Sequence, residues 1–90
     1  MRYVFDPEKD AVNRRKHGVS LALAEIVFDG PALSIPDDRF DYGEVRMVAF
    51  GAIAGRLFVC VYVDRIDERR VVSLRKANPR EVKRYGQALK

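Results

Sequence analysis

The sequence predicts an α+β fold, an antiparallel sheet carrying two N-terminal helices and one C-terminal helix. Three observations lead there. Strand-like runs follow one another over Glu44 to Phe50, Leu57 to Val63 and Arg69 to Lys76; two capped helix starts precede them; and a third helix start follows at Asn78.

The middle run, Leu57-Phe58-Val59-Cys60-Val61-Tyr62-Val63, is apolar at both parities, which marks a central strand covered on both sides. Its neighbours alternate. Val45, Met47 and Ala49 oppose Glu44, Arg46 and Val48, and Val72 and Leu74 oppose Val71, Ser73 and Arg75. One side of the sheet is therefore expected to be apolar, and the other to carry Glu44, Arg46, Ser73 and Arg75. The links over Gly51 to Gly55 and Asp64 to Glu68 are short, so the three strands should be antiparallel neighbours.

Ahead of the sheet, Arg2 to Phe5 is long enough for one edge strand. Asp6-Pro7-Glu8 reads as a helix start, with Asp6 as cap, Pro7 at the first position and Glu8 complementing the helix dipole. That helix should stop near His17 at Gly18, and its polar sequence, with only Ala11 and Val12 as anchors, turns much of it to water or a partner. Ser20 caps a second helix over Leu21 to Phe28, whose Leu23, Ile26 and Val27 would lie on the sheet. Ala32 to Ile35 is a further short strand, followed by a turn-rich connection. Asn78-Pro79-Arg80-Glu81 forms a capping box for the last helix, with Val82, Tyr85 and Leu89 as its inward stripe.

At 90 residues with 48% hydrophobic content, the chain is expected to be a single domain over 1–90 that needs no disulfide. Its one cysteine, Cys60, lies in the central strand as a small buried hydrophobe, and a reducing, cytoplasmic setting fits it. No signal peptide or membrane span is indicated. Residues 1–45 hold six Lys/Arg against nine Asp/Glu, whereas 46–90 hold eleven against four. A basic second half suits a polyanionic partner, because Lys and Arg contacts to phosphates release counterions.

His17, the sole histidine, sits at the expected C-terminus of the first helix, where an imidazolium is favoured as a cap. The alternative reading is a general acid or base, with an ordinary pKa of ~6.5. Glu44 and Arg46 could be a cross-strand charge pair. They could also belong to an RNA-cleaving site in which arginines hold the phosphate, Glu44 or His17 removes the 2′-hydroxyl proton, and a 2′,3′-cyclic phosphate is left without any metal. Asp37, Asp38, Asp41 and Glu44 lack the spacing of a calcium loop, and no zinc, P-loop or dinucleotide motif is present, so no cofactor is expected.

Several of these residues recur together in a known family. Phe5-Asp6-Pro7-x-Lys9-x-x-x-Asn13-x-x-Lys16-His17-Gly18-Val19-Ser20, Ala24, Val27-Phe28, Glu44-x-Arg46, Gly51, Arg70-Val71-Val72-Ser73-x-Arg75-Lys76-Ala77 and Glu81-x-x-x-Tyr85 resemble the BrnT family of bacterial toxins over nearly the whole chain. Phe5 stands where the family usually has Trp, and Leu74 where it has Ala; both keep apolar character.

The resemblance implies a RelE-like fold with helices on one side of the sheet, and a ribonuclease that arrests translation. It also implies a BrnA-like ribbon-helix-helix antitoxin that neutralises the toxin, contacts operator DNA on its behalf and assembles with it as a heterotetramer. Carried over by position, His17, Glu44, Arg46 and Arg75 are the catalytic candidates, and Lys16, Arg65, Ser73 and Lys76 the substrate-binding ones. The competing expectation is a non-catalytic protein- or nucleic-acid-binding module, in which His17 and Glu44 are structural.

Overall fold

The computed structural model describes residues 1–39, 41 and 43–89, with side chains through Gln87. Five strands, β1 (Arg2–Val4), β2 (Ala32–Asp37), β3 (Arg46–Ile53), β4 (Arg56–Arg65) and β5 (Glu68–Lys76), form one sheet in the order β1-β5-β4-β3-β2. The helices are α1 (Pro7–His17), α2 (Ala24–Asp29), entered through a 3₁₀ turn over Leu21–Leu23, and α3 (Pro79–Tyr85). An α+β architecture is thus observed, with β4 central as its two-sided apolarity required.

The sheet is mixed rather than antiparallel. β2, β3, β4 and β5 pair antiparallel, but β1 runs parallel to β5 through Arg2↔Glu68, Tyr3↔Arg69 and Val4↔Arg70. The chain leaves β1 into α1 instead of a hairpin, and a parallel neighbour becomes accessible only through such a crossover. The tight links behave as expected. Ala54 and Gly55, at φ 51° and 78°, close a two-residue turn between β3 and β4, and Asp67 at φ 66° helps close the next. Gly51 lies within β3, where its requirement is space: a Cβ there would stand 2.7 Å from Val27 Cγ1 and 3.0 Å from the Val27 carbonyl oxygen.

One face of the sheet holds the main core. Ala49, Phe58, Cys60, Tyr62, Val71 and Leu74 pack with Leu21, Ala24 and Val27 from the α2 region. Leu23 and Ile26, expected to point inward, are 37% and 42% exposed. The 3₁₀ turn sets a spacing of three through Leu21, Ala24 and Val27, and this rotates the buried stripe away from Leu23 and Ile26. On the same face Arg69 is held between the Phe28 and Tyr62 rings at 4.4 and 4.3 Å, with its guanidinium bonded to Asp64 at 2.6 and 3.0 Å.

α1 is fastened by polarity, as Ala11 and Val12 are both exposed. Its one buried residue is Asn13, whose carboxamide donates to the Leu74 carbonyl at 2.8 Å and accepts the Leu74 N–H at 3.1 Å. Beyond the end of β1 the outer edge of β5 has no strand partner among the described residues, and Asn13 occupies that place. Asp10 ties the next turn to α1 by accepting the Ser20 hydroxyl at 3.0 Å and the Leu21 N–H at 2.7 Å.

α3 meets the sheet on the opposite face, so the helices do not share one side. Tyr85 stacks on Phe50 with centroids 4.0 Å apart, and Phe50 alternates with the core-facing Ala49 and Gly51. Val82, expected inward, is 47% exposed and borders a shallow concavity with Ala52 and Leu57; the side chain of Leu89 lies outside the described residues.

Candidate active site

β5 does not keep strict alternation. Tyr62 pairs with Val71 and the preceding Val61 with Ser73, so Val72 is one residue too many and the strand bulges there. Both Val71 and Leu74 therefore reach the core, while Ser73 and Arg75 emerge on the other face. Simple counting had grouped Val72 with Leu74; the bulge separates them.

That second face is an open groove of ≈ 740 Å³. Val48, Phe50, Val59 and Val61 floor it, and its walls carry Arg39, Ser73, Arg75, Arg84 and Tyr85. Arg75 is gripped by Glu81, Nη1 to Oε1 at 2.8 Å and Nη2 to Oε2 at 2.9 Å, and Nη1 also donates to the Lys76 carbonyl at 3.3 Å. The paired carboxylate raises the Arg75 pKa above its ordinary value and holds that of Glu81 below its own. Asp37 engages Arg39 in the same forked manner, at 2.8 and 3.1 Å. The face is cationic without being a bare row of charges.

A second depression lies along α1, lined by Asp6, Lys9, Asn13, Lys16, His17, Val72 and Ser73 among others. Ser73 borders both concavities. His17 ends α1, where Gly18 at φ 75° sends its N–H to the Arg14 carbonyl. Burial lowers the His17 pKa from its ordinary value, and the positive charges of Lys16 and Arg75 push in the same direction. Lys16, His17, Ser73 and Arg75 thus form one neighbourhood assembled from a helix end and a bulged strand.

The remaining expected site residues lie elsewhere. Glu44 precedes β3 instead of belonging to it and pairs with Arg65 at 3.5 Å. Arg65 sits six residues along β4 from Val59, the partner of Arg75, which is roughly 20 Å at ~3.3 Å per residue. Arg46 faces the same way as Arg75, but the register sets it four residues and two strand spacings away, roughly 16 Å between Cα atoms. Lys76, on the alternate parity, leaves β5 on the opposite side from Arg75. Of the acidic residues weighed as metal ligands, Asp37 engages Arg39 and Glu44 engages Arg65. Among the described residues no three His, Cys, Asp or Glu side chains gather.

Residues 5–81 match the model of a family described as the ribonuclease toxin, BrnT, of type II toxin-antitoxin systems. The chain belongs to the BrnT family. No curated protein matches it. For a BrnT toxin the target is RNA and the natural partner an antitoxin. Among the described residues no helix is long and apolar enough to cross a membrane.

On this BrnT chain, sequence reasoning passed over Arg39, Arg84 and Glu81 as parts of the groove, and Asn13 as the residue that seats α1. Glu81 carried one usable signal. It stands three residues after Asn78, a spacing read only as a capping box, and the same carboxylate reaches Arg75 as well.

Proposed function

We propose that this BrnT chain is a metal-independent endoribonuclease acting where α1 and the groove meet at Ser73. The carrying observation is that Ser73 borders both the depression that holds His17 and the groove that holds Arg75. An imidazole neutral at physiological pH suits removal of the 2′-hydroxyl proton. The attacking oxygen then displaces the 5′-oxygen, which takes a proton from water and departs as a hydroxyl, and a 2′,3′-cyclic phosphate is left. Arg75 stabilises the charge growing on the phosphoryl oxygens. Two of its five N–H groups remain beyond those given to Glu81 and Lys76.

In this reading Lys16 and Ser73 bind the phosphate beside the scissile one, Arg46 and Arg65 contact the strand further along, and Lys76, on the other side of β5, meets the RNA only beyond the groove. Glu44 is the alternative base. Its pairing with Arg65, far from Arg75, favours His17 over it. The overall arrangement is taken as RelE-like, and RNA cleavage as a block to translation in the cytoplasm. The antitoxin is taken as a BrnA-like ribbon-helix-helix protein that forms a heterotetramer with the toxin and carries it to operator DNA. The cationic groove is the surface such a partner would cover.

The test is cleavage of RNA by the purified toxin in excess chelator, with product ends identified. Full activity and cyclic phosphate ends are expected for the parent, with losses of about 10² or more in Arg75→Ala and His17→Gln. Abolition by chelator would remove the metal-free mechanism, and a fully active Arg75→Ala would remove the site. Glu44→Gln separates the two bases: it should cleave at nearly the parent rate.

A further inference from the structure

We propose that Glu81 is a positioning residue for RNA cleavage, holding the Arg75 guanidinium in one orientation at the edge of the groove. The inference rests on the reading of Arg75 as the phosphate-binding arginine. An arginine on a strand has four flexible torsions, and alone it would sample many positions over an open face. Here both its terminal nitrogens are paired with one carboxylate, at 2.8 and 2.9 Å. That carboxylate is itself fixed, since Oε1 also accepts the Asn78 N–H at 2.9 Å while the Glu81 N–H donates to Asn78 Oδ1 at 2.8 Å. The helix carrying it is pinned again at Tyr85, stacked on Phe50 of the groove floor.

A forked Arg–carboxylate pair of this geometry can also add to folding stability, so kinetics must separate the two roles. A carboxylate beside the guanidinium also offsets part of the field that Arg75 presents to a phosphate. Orientation is what the arrangement gains, and misplacement of a binding group by about 1 Å is enough to cost a reaction much of its rate.

The experiment is a kinetic double-mutant cycle on the full chain, with single-stranded RNA as probe. Glu81→Gln in the parent should lower kcat about tenfold and change KM less than twofold. In an Arg75→Lys background, where no fork exists to orient, the same substitution should change kcat less than twofold. Asn78→Ala keeps the backbone N–H that Glu81 Oε1 accepts and removes only the side-chain cap, so it should lower the melting temperature while lowering kcat less than Glu81→Gln does. Equal factors for Glu81→Gln in both backgrounds would reduce Glu81 to a helix cap and overturn the proposal. Parent-like rates in Arg75→Lys and Arg75→Ala would instead remove Arg75 from the site, and the proposal with it. If Glu81→Gln does not fold, Glu81→Asp, which keeps the charge and withdraws the carboxylate, is read in its place.

Discussion

Asn13 bonds both backbone groups of Leu74, so a single side chain completes the edge of a strand sixty-one positions away. The contact also determines where α1 lies, and with it His17 one turn further along the helix.

Asn13→Ala should therefore be costly. It strands a buried N–H and a buried carbonyl, each of which costs about 1–3 kcal/mol when unpaired. A loss of roughly 2–4 kcal/mol is expected in urea unfolding, with weaker cleavage per folded molecule. A change below 0.5 kcal/mol would show that water substitutes freely at this edge.

Gly51→Ala tests packing rather than backbone freedom. The added methyl would meet Val27 at 2.7 and 3.0 Å, and α2 must move to admit it. Overpacking of this kind destabilises by roughly 1–3 kcal/mol. Gly51→Ala/Val27→Ala should recover part of that loss by clearing the side-chain clash, and an additive loss would contradict the account.

Folding lowers the His17 pKa, so as the solution is acidified the unfolded chain takes up this proton before the folded one does. The stability associated with neutral His17 is complete above its ordinary pKa of ~6.5 and falls as pH drops through that value. It levels off once the pH is beneath the folded pKa. His17→Gln should lose less stability than the parent between pH 7 and 5, measured by thermal melts across that range. The acid limb of the cleavage profile should lie below pH 6.5 for the same reason.

Cys60 is fully buried, and burial pushes its thiol up to about 12. Both facts withhold the reactive thiolate. A thiol reagent at pH 7.5 should label the folded protein at the rate of unfolding, and rapid labelling of the native state would contradict this burial.

The sequence disclosed the elements whose signals are local. Asp6-Pro7, Gly18, Ser20 and Asn78-Pro79 all mark real helix boundaries, because caps are read from a few neighbouring residues. The two-sided apolarity of β4 revealed the sheet centre for the same reason. What escaped depends on long-range pairing. No local pattern distinguishes a bulged Val72 from a regular one, and none reveals that Arg2–Val4 runs parallel to β5. The site residues share this limit. Lys16 and His17 are neighbours in sequence, but they border the same depression as Ser73 through long-range contacts such as that of Asn13 with Leu74. Glu44 and Arg46 look paired by spacing, and β3 begins between them.

The parallel union of β1 with β5 has a bearing on how the molecule is born. Arg2–Val4 is made before the other four strands, yet its partner Glu68–Arg70 belongs to the last of them. Ser73, Arg75 and Glu81 come later still, and Asn13 must wait for Leu74 before α1 is seated. A nascent chain can thus carry every residue of its first helix while that helix still lacks its seat on β5. If His17 and Arg75 act together as proposed, their centre can close only once β5 and the start of α3 have both been made.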